Sequence, residues 1–160
     1  MCNNCFVHSF VAELGARALR TRRLVRLPIG VYRAGFGFLF GSRLLMLEHI
    51  GRNSGARRYV VLEVVGRPGP DEYVIVSGFG ERAQWYRNVN ARPRVRIWSA
   101  MRRGVPATAT PMTDAESAAA LGDYIREHPR AWRNLRAAIE RATGAPVDTL
   151  PMLRVRLDAR

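Results

Sequence analysis

Between residues 44 and 110 the chain runs in short segments rich in Val, Ile, Tyr and Thr, broken at close intervals by turn residues. Leu44 to Ile50, Arg58 to Val65, Tyr73 to Ser77, Val95 to Trp98 and Val105 to Thr110 each have the residue types that suit a pleated, half-buried surface. "GRPGPDE" (66 to 72) predicts a turn between the second and third segments, and "MRRG" (101 to 104) a hairpin between the fourth and fifth. Links this short favour antiparallel pairing and a small barrel. Between the third and fourth strands, "GFGERAQWYRNVNARP" predicts a glycine loop leading into a helix that must stop before Pro93.

The flanks read as helical. Phe6, Phe10, Val11, Leu14, Leu19 and Leu24 fall on one side of a helix over residues 6 to 24, with Arg17, Arg20, Arg22 and Arg23 crowding its later part. This segment either packs on the domain or lies as a basic amphipathic helix against anionic lipid. "LPIGVYRAGFGFLFGSR" (27 to 43) follows as a short apolar helix or loop; its glycines lack the spacing of a dinucleotide fingerprint. Thr113-Asp114-Ala115-Glu116 has the form of a capping box and opens a helix to about Glu127. Pro129 starts a second helix, ended by Gly144, and "LPMLRVRL" (150 to 157) predicts a final edge strand. The expectation is a single α+β domain, mainly β with flanking helices: a helical segment at 1–42, barrel strands at 43–111, helices at 113–144 and an edge strand at 150–157.

The 160 residues carry a formal net charge of +13, and all 26 basic residues are arginine. Such an excess favours an anionic partner: a phosphorylated cofactor, nucleic acid or an anionic surface. Arginine also suits bidentate capture of phosphate and carboxylate. No nucleic-acid-binding motif or repeated aromatic platform is present, which argues against nucleic acid. Cys2 and Cys5 form the single Cys-x-x-Cys, too little for a structural zinc site even with His8 nearby, so no metal is expected. No apolar run reaches the roughly 20 residues of a membrane span, and the start has no signal-peptide form. A cytoplasmic protein, with peripheral membrane contact through the N-terminal segment left open, is the resulting expectation.

Two loops concentrate binding chemistry. "HIGRNSG" (49 to 55), followed by Arg57 and Arg58, joins two apolar runs and carries more charge than a plain hairpin needs. A turn flanked by Gly51 and Gly55 exposes backbone N–H groups, and such concavities bind anions. Arg52, Asn53, Ser54, Arg57 and Arg58 can add charge and hydrogen bonds. Ser77-Gly78-Phe79-Gly80 ends a strand in small residues, which lets a flat ligand approach the backbone, with Phe79 or Trp85 covering an aromatic face.

Taken in order, "LEHIGRNSGARR", "LEVVG" and "YVIVSGFGERAQWYRNVNARP" resemble the deazaflavin-dependent nitroreductase family, within the flavin/deazaflavin oxidoreductases. The resemblance extends over about residues 27 to 115. It implies a split β-barrel of the FMN-binding type that holds coenzyme F420, a deazaflavin with a phosphodiester and a glutamate tail. Arg52, Asn53, Ser54, Gly55 and Arg58 would grip the anionic arm; Ser77, Gly78, Phe79 and Gly80 would line the ring; Trp85 and Asn88 would fix the helix behind it. The family usually has a basic residue where this chain has Asn53, and Arg57 is the candidate to compensate.

The implied activity is hydride transfer from reduced F420 to a small organic acceptor: a quinone, nitro compound or activated alkene. The protein would act as monomer or homodimer. An FMN-binding split-barrel oxidoreductase and a non-catalytic coenzyme- or nucleic-acid-binding protein are the alternatives. No triad or carboxylate pair demands nucleophilic chemistry. His49 reads as a structural hydrogen-bonder, and Glu63, inside an apolar strand, as the partner of an arginine. His128 and Tyr124, at the joint between the two C-terminal helices, are the candidates to protonate the product.

Overall fold

The computed structural model describes residues 27–34, 41, 43–144, 146–147 and 149–159. The expected helix over 6 to 24, Cys2, Cys5 and His8 lie outside them. The elements in order are α1 (Leu27–Arg33), β1 (Leu44–Ile50), β2 (Arg57–Gly69), β3 (Glu72–Val76), a 3₁₀ turn (Gly80–Arg82), α2 (Gln84–Ala91), β4 (Arg94–Ser99), β5 (Arg102–Pro111), α3 (Asp114–Glu127), α4 (Pro129–Thr143) and β6 (Met152–Leu157).

The six strands close into a barrel in the order β1-β2-β3-β6-β5-β4, and every pairing is antiparallel. Strand periodicity sorts the side chains. Leu45, Leu47, Tyr73, Ile75, Val95, Ile97, Leu153 and Val155 fill the interior together with Tyr86 and Val89 of α2, which plugs one end. The alternate residues Val65, Val74, Val76 and Met152 face outward and are covered by Tyr124 of α3 and Ile139 of α4. This accounts for the unbroken apolar run of β3: both faces of that strand are buried. In β4, by contrast, Val95 and Ile97 are buried while Arg94 and Arg96 are exposed.

The helix boundaries follow local chemistry. The Thr113 hydroxyl accepts from the Glu116 N–H at 3.2 Å, and the Glu116 carboxylate accepts from the Thr113 N–H at 2.8 Å, completing the capping box. Gly144 closes α4 in the left-handed conformation, φ 70°.

Three sequence expectations are corrected. First, the cluster at 66 to 72 is not all turn. β2 continues to Gly69, because register shifts after Val64 and Gly66 absorb the extra residues as bulges, and only Pro70 and Asp71 turn the chain. Second, the β4–β5 hairpin tip is Ala100–Met101; Arg102 to Gly104 already belong to β5. Third, β6 is no edge strand. It lies between β3 and β5 and closes the barrel.

Leu153 is fully buried in the barrel interior. Leu153→Ala should lower stability by about 2 to 5 kcal/mol, read as a lower urea midpoint with an unchanged slope.

An arginine-lined cleft at the open edge of the barrel

β2 is the longest of the six strands, and its two neighbours pair with different stretches of it. Residues Arg57 to Glu63 pair with β1, whereas pairing with β3 begins only at Val64. β3 ends at Val76, and the chain then leaves through the Ser77–Gly80 loop into α2. The edge of β2 from Arg57 to Leu62 is therefore left without a second strand. Beside it opens a cavity of about 1540 Å³. One wall is the β1–β2 turn with Arg52, Asn53, Ser54, Ala56, Arg57 and Arg58; the other holds Phe79, Arg82, Gln84, Trp85 and Asn88. Ile29, Gly30 and Arg33 of α1, Tyr59 and Val60 of β2, and Thr143 of α4 complete the lining.

The turn is rigid. Gly51 N–H donates to the Ala56 carbonyl at 2.9 Å, and Gly55 N–H to the Gly51 carbonyl at 2.8 Å. Space at Gly51 is tight: a Cβ there would lie 2.6 Å from Ser54 Oγ and 3.0 Å from Arg58 Nε, so these side chains would have to shift. Gly55 is required by conformation, at φ 66°. Among the described residues nothing accepts from the Asn53 and Ser54 backbone N–H groups, whereas the neighbouring amides of the turn are bonded.

Asn88 fastens this turn to α2. Its Oδ1 accepts from Arg52 twice, from the backbone N–H at 3.1 Å and from Nη1 at 3.0 Å. Two donors on Oδ1 fix the carboxamide, so Nδ2 donates to His49 Nδ1 at 3.3 Å. His49 is thereby held as the neutral tautomer with its proton on Nε2. Burial, and then the Arg58 guanidinium, hold its pKa down to about 4. His49 is thus a hydrogen-bonding residue of the site's foundation, as its position in the sequence indicated.

The second loop is tied to itself. Ser77 Oγ donates to the Gly80 carbonyl at 2.7 Å, and the Gly80 N–H to the Ser77 carbonyl at 3.0 Å. Ser77 is fully buried, and a Cβ on Gly78 would lie 3.1 Å from Ile139 of α4. Of this loop only Phe79, about half exposed, lines the cavity; Trp85 lines it from α2, packed edge-on to Tyr86.

The structure thus brings together Arg52, Asn53, Ser54, Arg57, Arg58, Phe79 and Trp85. Gly55, Ser77, Gly78 and Gly80 shape the two loops without lining the cavity, and Tyr124 and His128 are not among its lining residues. Tyr124 is buried and donates its hydroxyl to Glu63, which also pairs with Arg43 at 3.2 Å; burial, with the nearby Glu63, raises the phenol pKa well above its ordinary value. His128 is exposed between α3 and α4. Two cavity arginines, Arg33 and Arg82, went unmarked in the sequence. Arg82 lies two residues past a glycine already singled out, whereas nothing local marked Arg33.

Five arginines line the cavity, and no carboxylate among the described residues does. Arg57 lies 3.8 Å from Glu48, but no acid pairs with Arg33, Arg52, Arg58 or Arg82 among the described residues. With the two unpaired turn amides, this donor set fits a polyanion. No group of metal-ligating side chains occurs among the described residues, and no described helix is long and apolar enough to cross a membrane.

Comparison with known proteins agrees with this geometry. Residues 21–149 match the family model described as F420H(2)-dependent quinone reductase. No curated protein matches the chain. Among solved structures, a domain-swapped dimer superposes with a TM-score of 0.53 at 21% identity, covering 72% of this chain and 81% of that one. An F420-H2 dependent reductase gives 0.50 at 23%, covering 71% and 94%. A putative pyridoxamine 5'-phosphate oxidase from Listeria innocua gives 0.52 at 8%, covering 81% and 94%. At these identities the likeness is one of fold, the split barrel.

The burial of His49 beside Arg58 has a pH consequence. The folded-state pKa of His49 lies below its unfolded value, so as pH falls the unfolded chain takes up the proton first. Stability should therefore decline as pH falls from about 6.5 to about 4, by on the order of 2 kcal/mol at pH 5. Urea unfolding of the apo-protein between pH 7.5 and 5 should show this loss. His49→Asn keeps an acceptor near the Nδ1 position without titrating, and it should flatten the profile.

Proposed function

The chain belongs to the F420H(2)-dependent quinone reductase family, and on that premise we propose that its arginine-lined cleft holds coenzyme F420 with the anionic arm on the β1–β2 turn and the ring against the Phe79 loop. The protein is an oxidoreductase that uses reduced F420 to reduce a small organic acceptor. The observation that carries the placement is the donor set: arginines and two turn amides that are unpaired among the described residues, with no carboxylate among the described lining residues.

In this reading Arg58, Arg52, the Asn53 and Ser54 amides and the Ser54 hydroxyl hold the arm. Arg52 acts from a fixed position, because Asn88 already holds its Nη1 and its backbone N–H. Gly55 allows the tight turn, and Arg57 adds charge at the rim while paired with Glu48. Phe79 and Trp85 cover the flat ring, and the unpaired β2 edge offers it backbone groups. Ser77, Gly78 and Gly80 keep that loop in shape, with Ile139 seated on Gly78. When bound in its reduced form F420 supplies the hydride, and the difficult chemistry is the coenzyme's. The protein's own work is to bind the arm, expose one ring face and leave room for the acceptor. A cavity of about 1540 Å³ exceeds the roughly 300 to 1,000 Å³ of an ordinary single-ligand site. A quinone is the acceptor class proposed, with nitro compounds and activated alkenes as the comparison set.

Purified protein titrated with F420 and with FMN should bind F420 in clear preference, followed by tryptophan and deazaflavin fluorescence. Tight FMN binding with no F420 binding would sink the placement. Arg58→Ala should weaken F420 roughly ten- to a hundredfold, the cost of one charge-assisted hydrogen bond, with little change in folding because the side chain is exposed. An unchanged dissociation constant would remove Arg58 from the arm site. Asn53 is exposed and lines the cavity. Asn53→Lys should therefore tighten binding severalfold at low salt, and the gain should shrink as salt is added.

A further inference from the structure

The cleft has two sides, set by strand alternation. Leu45 and Leu47 of β1 point into the barrel, so Glu48 points out and His49 in. Their cross-strand partners follow them: Tyr59 opposite Glu48 faces out, and Arg58 opposite His49 faces in. The cavity touches both Arg58 and Tyr59, so it runs around the rim of the open β2 edge onto the outer barrel wall. There α1 supplies Ile29, Gly30 and Arg33.

Arg33 is set on a prepared platform. Its guanidinium carbon lies 5.6 Å from the centroid of the Tyr59 ring. That ring is fixed from two directions: its hydroxyl is hydrogen-bonded to the Glu48 side chain, and Trp98 meets it edge-on at 6.1 Å. Trp98 is in turn seated over Gly104, where a Cβ would lie 3.2 Å from the indole. A guanidinium stacked on an aromatic face keeps its in-plane N–H donors available for carboxylates. Among the described residues no acid pairs with Arg33. The arginine is thus stacked, charged and, among the described residues, uncommitted at its polar edge.

We propose that Arg33, stacked on Tyr59, is the binding site for the carboxylates of the coenzyme's glutamate tail and sets this chain's preference for tail length. This rests on the reading that the arm lies on the β1–β2 turn. With the ring at the Phe79 loop on one wall and the arm at the turn, a chain continuing past the turn along the cavity meets the outer rim, where Arg33 stands. A quinone nucleus carries no carboxylate, so the proposed acceptor class does not call for this cation.

The test compares two probes on the intact protein: F420 bearing several glutamates, and the same deazaflavin with its phosphodiester arm but no glutamate. Binding is read by fluorescence titration at low and high salt. Wild-type protein should bind the tailed form about three- to tenfold more tightly at low salt. Arg33→Gln should abolish that advantage and leave the tail-less form within about twofold of wild type. Tyr59→Leu, checked for folding by its unfolding midpoint, should behave like Arg33→Gln, whereas Tyr59→Phe should retain the advantage. If Arg33→Gln weakens both probes equally, or if wild type is indifferent to the tail, the inference is overturned. Arg58→Ala separates the two readings: loss of binding to the tail-less probe upholds the arm site whatever Arg33 does. If the tail-less probe binds regardless of Arg58, the arm placement itself fails.

Discussion

The site exists because β2 outruns its partners. A strand with two neighbours has its backbone groups satisfied on both sides, and it offers a ligand nothing but side chains. Here β1 accompanies β2 from Arg57 to Glu63, and β3 takes over only from Val64. The barrel still closes, because β6 bridges β3 to β5 and β4 returns to β1. The opening is therefore local. It is bounded by a turn that glycines keep tight and by a helix whose Tyr86 and Val89 are anchored in the core. A flat ligand can approach an unpaired strand edge there without any part of the core having to open.

The charge of the chain is distributed in keeping with that opening. On the outer wall, arginines meet acids: Arg102 with Asp71, Arg156 with Glu72, and Arg154 with both Glu72 and Glu116. Exposed pairs of this kind contribute little stability each, about 0 to 1 kcal/mol, but each offsets the charge of an arginine locally. The cleft gathers Arg33, Arg52, Arg58 and Arg82 with no acid among the described lining residues. Like charges brought together repel, so this arrangement costs folding free energy that an anionic ligand would offset on binding. Asn88 partly relieves that cost by accepting twice from Arg52, and the neutral His49 beneath it adds no further positive charge.

What the sequence disclosed, it disclosed through local chemistry. The limits of β1, the capping box of α3 and the left-handed end of α4 at Gly144 each depend on neighbours a few residues away, and all three stand as read. The arginine turn and the Phe79 loop were legible for the same reason. The position of β6 was not, because strand order in a barrel is decided by partners distant in sequence. Nor was the length of β2: Gly66, Pro68 and Gly69 carry turn chemistry, and the bulges that accommodate them have no marker in composition. Tyr124 stood beside a helical joint and suggested a proton donor; the fold commits its hydroxyl to Glu63, a residue 61 positions earlier. Arg33 entered the cleft through helix placement alone.

The same distinction bears on position 53, where the resemblance read from the sequence implies a basic residue and this chain has Asn53. Arg57 was the natural candidate to compensate, from its proximity in sequence. In the fold its guanidinium lies 3.8 Å from the Glu48 carboxylate, which is buried to within 8% of full coverage, so part of its charge is already engaged at the outer rim. Arg82 comes from the opposite wall, on the 3₁₀ turn that follows the Phe79 loop, and no acid pairs with it among the described residues. A cation supplied from that wall would keep the total charge of the cleft while moving its centre away from the turn and toward the ring. Under the proposed placement Asn53 would serve by its backbone, whose N–H is one of the two turn amides that no described residue accepts from. A backbone donor is fixed in direction and pays no side-chain entropy on binding, where a lysine at the same place would pay it in exchange for longer reach. For an arm bound at this turn, Asn53 would thus present a fixed dipole rather than a mobile charge, with Arg82 as the cation that the opposite wall contributes to the lining.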